Sequence, residues 1–202
     1  MQKDVMVGIN AGFHYRFVPY SKAVNRSVFE KDDKRYFISG ALGVSSLLVA
    51  NRDLVKNMGV EAKGSIGKWY TPLSAWRVNG TIMYKAKTPD KLNLHYAGLG
   101  MDYMMILATL AKGYSRDHVI DVVPFVGVTA GLVRRRGEFK AVPGIDAGAQ
   151  VKLKLGSSLD FYVEPKVGIR TDTYDGMDQG RPDCVASMVG GLIYKFKMPT
   201  FK

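Results

Sequence analysis

Residues 159–170 read LDFYVEPKVGIR, and in this stretch apolar and polar residues alternate at almost every position. Leu159, Phe161 and Val163 fall on one side of an extended chain, and Asp160 and Glu164 fall on the other, as expected for a β-strand with two different faces. The preceding segment, residues 139–153, alternates in the same way. Only a short Gly-Ser-Ser stretch at 156–158 separates the two, which predicts a tight β-hairpin.

The same period-two pattern recurs along most of the chain and predicts eight strands joined in series. Their predicted ranges are 36–49, 57–70, 75–86, 92–108, 119–134, 139–154, 159–171 and 184–196. These strands are longer than the roughly 5 to 6 residues usual in globular proteins and match the ~9–11 residues that a tilted strand needs to cross a membrane. The organisation predicted is a single up-and-down meander.

Composition excludes several classes of protein. The chain has 202 residues, 47% of them hydrophobic, with a net charge of +11 and a single cysteine. No stretch approaches the ~18–20 apolar residues of a membrane-spanning helix, and one cysteine cannot form a multi-cysteine zinc site. The basic residues alternate with acidic ones instead of clustering, which argues against nucleic acid as a partner. The first residues show no charged head followed by a long apolar stretch, so no signal peptide is predicted within the sequence.

The chemistry of the two strand faces favours a membrane barrel. The polar face carries charges of both signs, which would neutralise one another in a narrow lumen, while the apolar face would meet lipid. The predicted lumen charge network comprises Glu61, Lys63, Arg77, Asp102, Asp146, Lys152, Glu164, Lys166 and Arg170. Aromatic residues such as Trp69, Trp76 and Tyr84 would form girdles at the membrane borders. A soluble lipocalin-like barrel that binds a small apolar ligand remains the alternative.

Particular segments resemble the OmpA-type family of outer-membrane β-barrel domains. They are GVEAKGSIGKWYTP from Gly59 followed by WRVNG from Trp76, then VPFVGV from Val123, DFYVE from Asp160 and GGLIYKF from Gly190. The last segment is similar to the terminal insertion signal of such barrels, through Gly191, Tyr194 and Phe196, although six residues follow Phe196. The resemblance implies a small eight-stranded barrel in the outer membrane of a Gram-negative cell.

The resemblance also implies an orientation. The turns at 71–74, 110–118 and 156–158 would be periplasmic, and those near 50–56, 87–91, 135–138 and 172–183 would face outward. Arg134, Arg135 and Arg136 would then lie at the outer rim, where they could contact lipopolysaccharide phosphates. A solvated hairpin tip is the other interpretation of this triplet.

The predicted fold class is therefore an all-β, transmembrane, antiparallel up-and-down β-barrel of about eight strands with an extra N-terminal strand-like segment. Residues 1–35 would form an extension, strand-like over 4–17 and then a polar tether. Residues 36–197 would form the barrel and 198–202 a short tail.

Little in the sequence points to catalysis. The three histidines, His14, His95 and His118, lie on separate segments with no obvious nucleophile nearby, and no metal-ligand spacing stands out. The prediction is a non-enzymatic protein without a cofactor, acting as a membrane anchor, an adhesion surface or a subunit of an envelope complex. Its partners would be outer-membrane lipid and lipopolysaccharide, with other envelope proteins as further candidates. A barrel enzyme that modifies envelope lipid stays open as an alternative.

Overall fold

Eight antiparallel strands form a closed barrel in the computed structural model, which describes residues 34–48, 58–87, 93–107, 119–135, 138–171 and 182–197. The strands are β1 (Tyr36–Leu47), β2 (Gly59–Trp69), β3 (Ser74–Lys87), β4 (Asn93–Met105), β5 (Ile120–Arg135), β6 (Glu138–Lys154), β7 (Leu159–Arg170) and β8 (Asp183–Phe196). Each pairs with its neighbours in sequence, and β1 pairs with β8 to close the sheet. The predicted eight-stranded all-β barrel is confirmed. The extension before residue 34 and the tail after 197 lie outside the described residues.

The strands are staggered by ten residues around the barrel. From Tyr36, successive register partners lead through Lys68, Trp76, Tyr103, Val126, Ala147, Val167 and Ala186 back to β1 at Ser46. Such a stagger requires the strands to tilt against the barrel axis, and it fixes which side chains meet inside.

The barrel has two different ends. At the terminal end, β1 begins, β8 ends, and tight turns at 70–73 and 155–158 connect β2 to β3 and β6 to β7. Thr71 shapes the first turn, because its hydroxyl oxygen accepts hydrogen bonds from the backbone N–H groups of Leu73 and Ser74. At the opposite end, called the loop end here, the strand connections lie mostly outside the described residues.

The outer wall is apolar along the height of the barrel. Ile82, Leu99 and Val128 point outward and are each more than 60% exposed. On the described strands, the outward side chains with a formal charge are Lys68, near the terminal end, and Arg134, near the loop end. The twelve residue steps from Ile120 to Leu132, at ~3.3 Å each and a ~40° tilt, span about 30 Å, the thickness of a bilayer's hydrocarbon core. This distribution is that of a transmembrane barrel. No helix in the described residues is long and apolar enough to cross a membrane.

The prolines within the strands also belong to the apolar outer wall. Pro124, Pro143 and Pro165 all lie on the outward face. Two successive register pairs are missing between β6 and β7, at the level of Pro165, which has no N–H to donate to the ladder. The register resumes unchanged beyond the gap, so the barrel remains closed there.

Candidate functional site

Four charged side chains from four strands form a central cluster inside the barrel: Lys63, Arg77, Asp102 and Glu164. Arg77 and Glu164 are completely buried. Arg77 donates to Glu164 from Nη1 at 2.6 Å and to Asp102 Oδ2 from Nη2 at 2.5 Å and Nε at 2.8 Å. Lys63 Nζ lies 2.5 Å from Glu164 Oε1 and 4.0 Å from Asp102 Oδ2. Each charge therefore touches at least one opposite charge, which offsets the cost of removing both from water.

Neutral amides complete the central cluster. Asn79 Nδ2 donates to Asp102 Oδ2 at 2.9 Å, and Gln150 Nε2 donates to Glu164 Oε2 at 3.0 Å. Glu164 thus accepts hydrogen bonds from three different side chains. Polar groups buried at this depth are costly unless they are satisfied in this way.

Two further ion pairs lie between the central cluster and the loop end. Lys166 Nζ lies 3.0 Å from Glu61 Oε1, and Arg170 Nη2 lies 2.7 Å from Asp146 Oδ1. The second oxygen of Glu61 accepts a hydrogen bond from the Ser45 hydroxyl. A small cavity of about 10 Å³ lies among these side chains, enough for about one water molecule.

Four more charges lie toward the terminal end. Lys195 Nζ lies 2.9 Å from Asp160 Oδ2. Lys152 is the register partner of Asp121, and its Nζ lies 4.8 Å from the centre of the Trp69 ring. The prediction that Trp69 belongs to an outer aromatic girdle is wrong, because its side chain faces inward and packs against the buried core.

The charges of these three layers cancel. The central cluster, the loop-end pairs and the terminal-end group each hold two cations and two carboxylates. The twelve side chains therefore sum to zero, and the net charge of +11 lies entirely outside them. A lumen this narrow favours neutrality, because an uncompensated charge there would lie in a low dielectric.

Apolar side chains occupy the lumen on both sides of the central cluster, so the inner face is less polar than expected. The apolar side chains nearer the terminal end include Phe37, Met104 and Phe125. Those nearer the loop end include Met83 and Val142. A small barrel must fill its interior with side chains, and uncharged ones incur no cost for unpaired charge. Inward glycines leave the space required. A Cβ at Gly127, for example, would collide with Asp102.

All nine side chains of the predicted lumen network are buried inside the barrel. Asp121, Asp160 and Lys195 also lie on the inner face, where the same alternation places them. The prediction omitted the neutral partners Asn79 and Gln150, whose role depends on inter-strand register that a single sequence does not specify.

The other predicted residues lie on the outer wall or at its ends. Arg134 is exposed, with its guanidinium 5.6 Å from the Phe139 ring. The Arg135 side chain and all of Arg136 lie outside the described residues. Tyr194 faces outward and stacks on Phe196, with ring centres 6.4 Å apart. Gly191 faces inward at the β1–β8 seam, where a Cβ would collide with Gly40 and Ala41.

The described residues offer little for catalysis. His95 sits on the outer wall with its ring 4.6 Å from that of Tyr84. In the part of the chain that the structure describes, no group of His, Cys, Asp or Glu side chains is arranged to hold a metal ion. The lumen blocks the passage of solutes, because completely buried side chains fill its centre.

Solved structures of similar fold include the following three. Neisserial surface protein A has a TM-score of 0.62 at 9% identity, over 80% of this chain and 97% of that one. Ail, the attachment invasion locus protein of Yersinia pestis, crystallised with the heparin analogue sucrose octasulfate, scores 0.53 at 8% identity, over 82% and 100%. A major outer membrane protein from Thermus thermophilus scores 0.50 at 13% identity, over 80% and 99%. No family model and no curated protein matches the chain. The likeness shows a shared barrel fold.

Proposed function

We propose that this protein is an integral barrel of a Gram-negative outer membrane with a non-enzymatic, structural or accessory role. The observation that carries the proposal is the inverted distribution of side chains. Ile82 and Leu99 are exposed on a wall about as tall as a bilayer core, whereas Arg77 and Glu164 are completely buried. A soluble ligand-binding barrel would have the opposite distribution around an apolar cavity.

The blocked lumen supports a role exerted at the surface. Central ion pairs and two apolar layers leave solutes no open path, so a porin function is disfavoured. The parts of the molecule left to meet a partner are the barrel ends and the outer wall. That favours an anchor, an adhesion surface or a subunit of an envelope complex.

Lipopolysaccharide is the partner proposed at the loop end. Arg134 is exposed at the upper border of the apolar wall, next to Phe139, and the sequence continues with Arg135 and Arg136. Guanidinium groups bind phosphates in bidentate fashion. The heparin analogue crystallised with Ail shows that a protein of similar fold can hold a polyanion, which supports the same chemistry here.

The membrane proposal is tested by folding the protein into phospholipid vesicles and comparing boiled with unboiled samples by gel electrophoresis. A faster-migrating unboiled band that requires detergent or lipid is expected. A protein that folds in plain buffer without detergent would refute the proposal. Binding of lipopolysaccharide by the wild type and by Arg134→Gln tests the partner separately, and equal binding by the two would contradict a role for this residue.

A further inference from the structure

Lys68 occupies an unusual place on the outer wall, because it is a charged side chain at the border of the apolar band. Its ammonium lies 4.8 Å from the centre of the Tyr36 ring and 5.3 Å from that of Tyr70. In the described residues no carboxylate lies within ion-pair distance of it. The rings hold the cation at the level where aromatic side chains meet lipid headgroups.

The rest of the terminal end is also basic. Among the described residues, five basic ones surround it outside the lumen, namely Lys34, Arg35, Lys68, Lys154 and Lys197. The acidic residues described at this end, Asp121 and Asp160, belong to the neutral lumen layers. The part of this end that the structure describes therefore carries a net positive charge outside the lumen.

An apolar groove lies on the outer wall above Lys68, with a cavity volume of about 1190 Å³. Its floor includes Gly40, Gly64 and Gly80, which are register partners on β1, β2 and β3. On its own strand, each glycine lies four residues closer to the loop end than Lys68 or the residue that is in register with Lys68. Leu192 is among the larger side chains that border the groove.

We propose that Lys68 and this groove together bind a phospholipid with an anionic headgroup, and the inference rests on the proposed membrane location. The phosphate would lie on the Lys68 ammonium, and an acyl chain would lie along the glycine floor. Charge complementarity decides between occupants, because a second copy facing this site would bring its own basic end and be repelled. An anionic lipid satisfies both the cation and the groove.

The headgroup contact is tested with vesicles of equal parts phosphatidylglycerol and phosphatidylcholine. The folded protein is extracted in mild detergent, and native mass spectrometry counts the retained lipids. We expect the wild type to prefer phosphatidylglycerol about fivefold, the factor that corresponds to ~1 kcal/mol per basic residue near an anionic surface. Lys68→Gln should abolish the preference. Lys154→Gln, at the same end but on β6, should keep it.

The groove is tested separately with Gly64→Leu, because a Cβ at Gly64 meets nothing within 4 Å and the larger side chain fits without disturbing the wall. Filling the groove should lower retention of both lipids. Ala147→Leu, an outward position on β6 outside the groove, should leave retention unchanged.

Several results would overturn the inference. They are equal retention of the two lipids by the wild type, an equal loss in the two lysine variants, unchanged retention in Gly64→Leu, or a dimer in place of a lipid adduct. If the wild type folds in the vesicles but shows no preference, the lipid site is wrong and the membrane location stands. If it does not fold in vesicles at all, the proposed function itself is wrong.

Discussion

The central cluster should be coupled strongly enough for one substitution to offset another. Arg77→Met leaves Asp102 and Glu164 facing Lys63 alone, a net charge of −1 in a fully buried site. Glu164→Gln leaves two cations facing Asp102, a net charge of +1. The double variant returns the cluster to neutrality, with Lys63 and Asp102 remaining.

The structure sets the size of the effect. Breaking one side of a buried ion pair costs about 3–5 kcal/mol, because the partner is left uncompensated away from water. Each single variant should therefore lose about that much free energy of unfolding. The double variant should lose less than the sum of the two, by ~1–3 kcal/mol, since the side chains are in direct contact.

Urea unfolding in lipid vesicles, followed by tryptophan fluorescence and by the shift between folded and unfolded bands on a gel, measures these values. Lys140→Gln, at an exposed position on β6, is the control and should change stability by no more than ~0.5 kcal/mol. Strict additivity of Arg77→Met and Glu164→Gln would refute the reasoning, because it would mean that the cluster does not act as one charge-balanced unit.

Three further predictions concern the wall and the seam. The chain has two tryptophans, so Trp69→Phe and Trp76→Phe each leave a single reporter. Brominated lipids should quench the fluorescence of Trp76 strongly, because it faces outward, and that of Trp69 weakly, because it packs inward. The reverse order of quenching would contradict the assigned faces. Ile82→Lys should lower the free energy of unfolding in vesicles by ~2–4 kcal/mol, the cost of a lysine on the lipid face, as measured by urea unfolding. An unchanged free energy of unfolding would place Ile82 outside the bilayer. Gly191→Ala should impair folding, because its Cβ would collide with the β1 backbone, whereas Gly64→Ala should not. The fraction of the folded band on unboiled gels reports both glycine variants, and equal yields would argue against the packing of the seam.

The architecture was predictable from the sequence because one physical constraint applies along the whole chain. A wall one strand thick between lipid and a filled lumen requires opposite chemistry on successive side chains, and β7 shows this without interruption. The strand bounds differ from the prediction by only a few residues. The prediction for Trp69 was wrong because it relied on residue type. Aromatic residues at strand ends can either form a girdle on the outer wall or fill the lumen, and the alternation of β2 places Trp69 inward.

The pairing inside the lumen was less predictable. Alternation identifies which charges face inward, but the ion-pair partners come from strands far apart in sequence. Lys63 and Glu164 are 101 residues apart and meet across the lumen. That meeting depends on the ten-residue stagger, which a single sequence does not specify.

The seam between the first and last strands has a consequence for how the barrel is assembled. Gly43 and Gly191 leave bare main chain midway along the inner side of this boundary, opposite Val189 and Ala41, whereas buried side chains such as Phe37 and Ile193 pack on the same side nearer the terminal end. Closing the barrel at this boundary pairs the backbone of β1 with that of β8 and buries these side chains in the same step. It also removes the two free edges that the open sheet would otherwise expose.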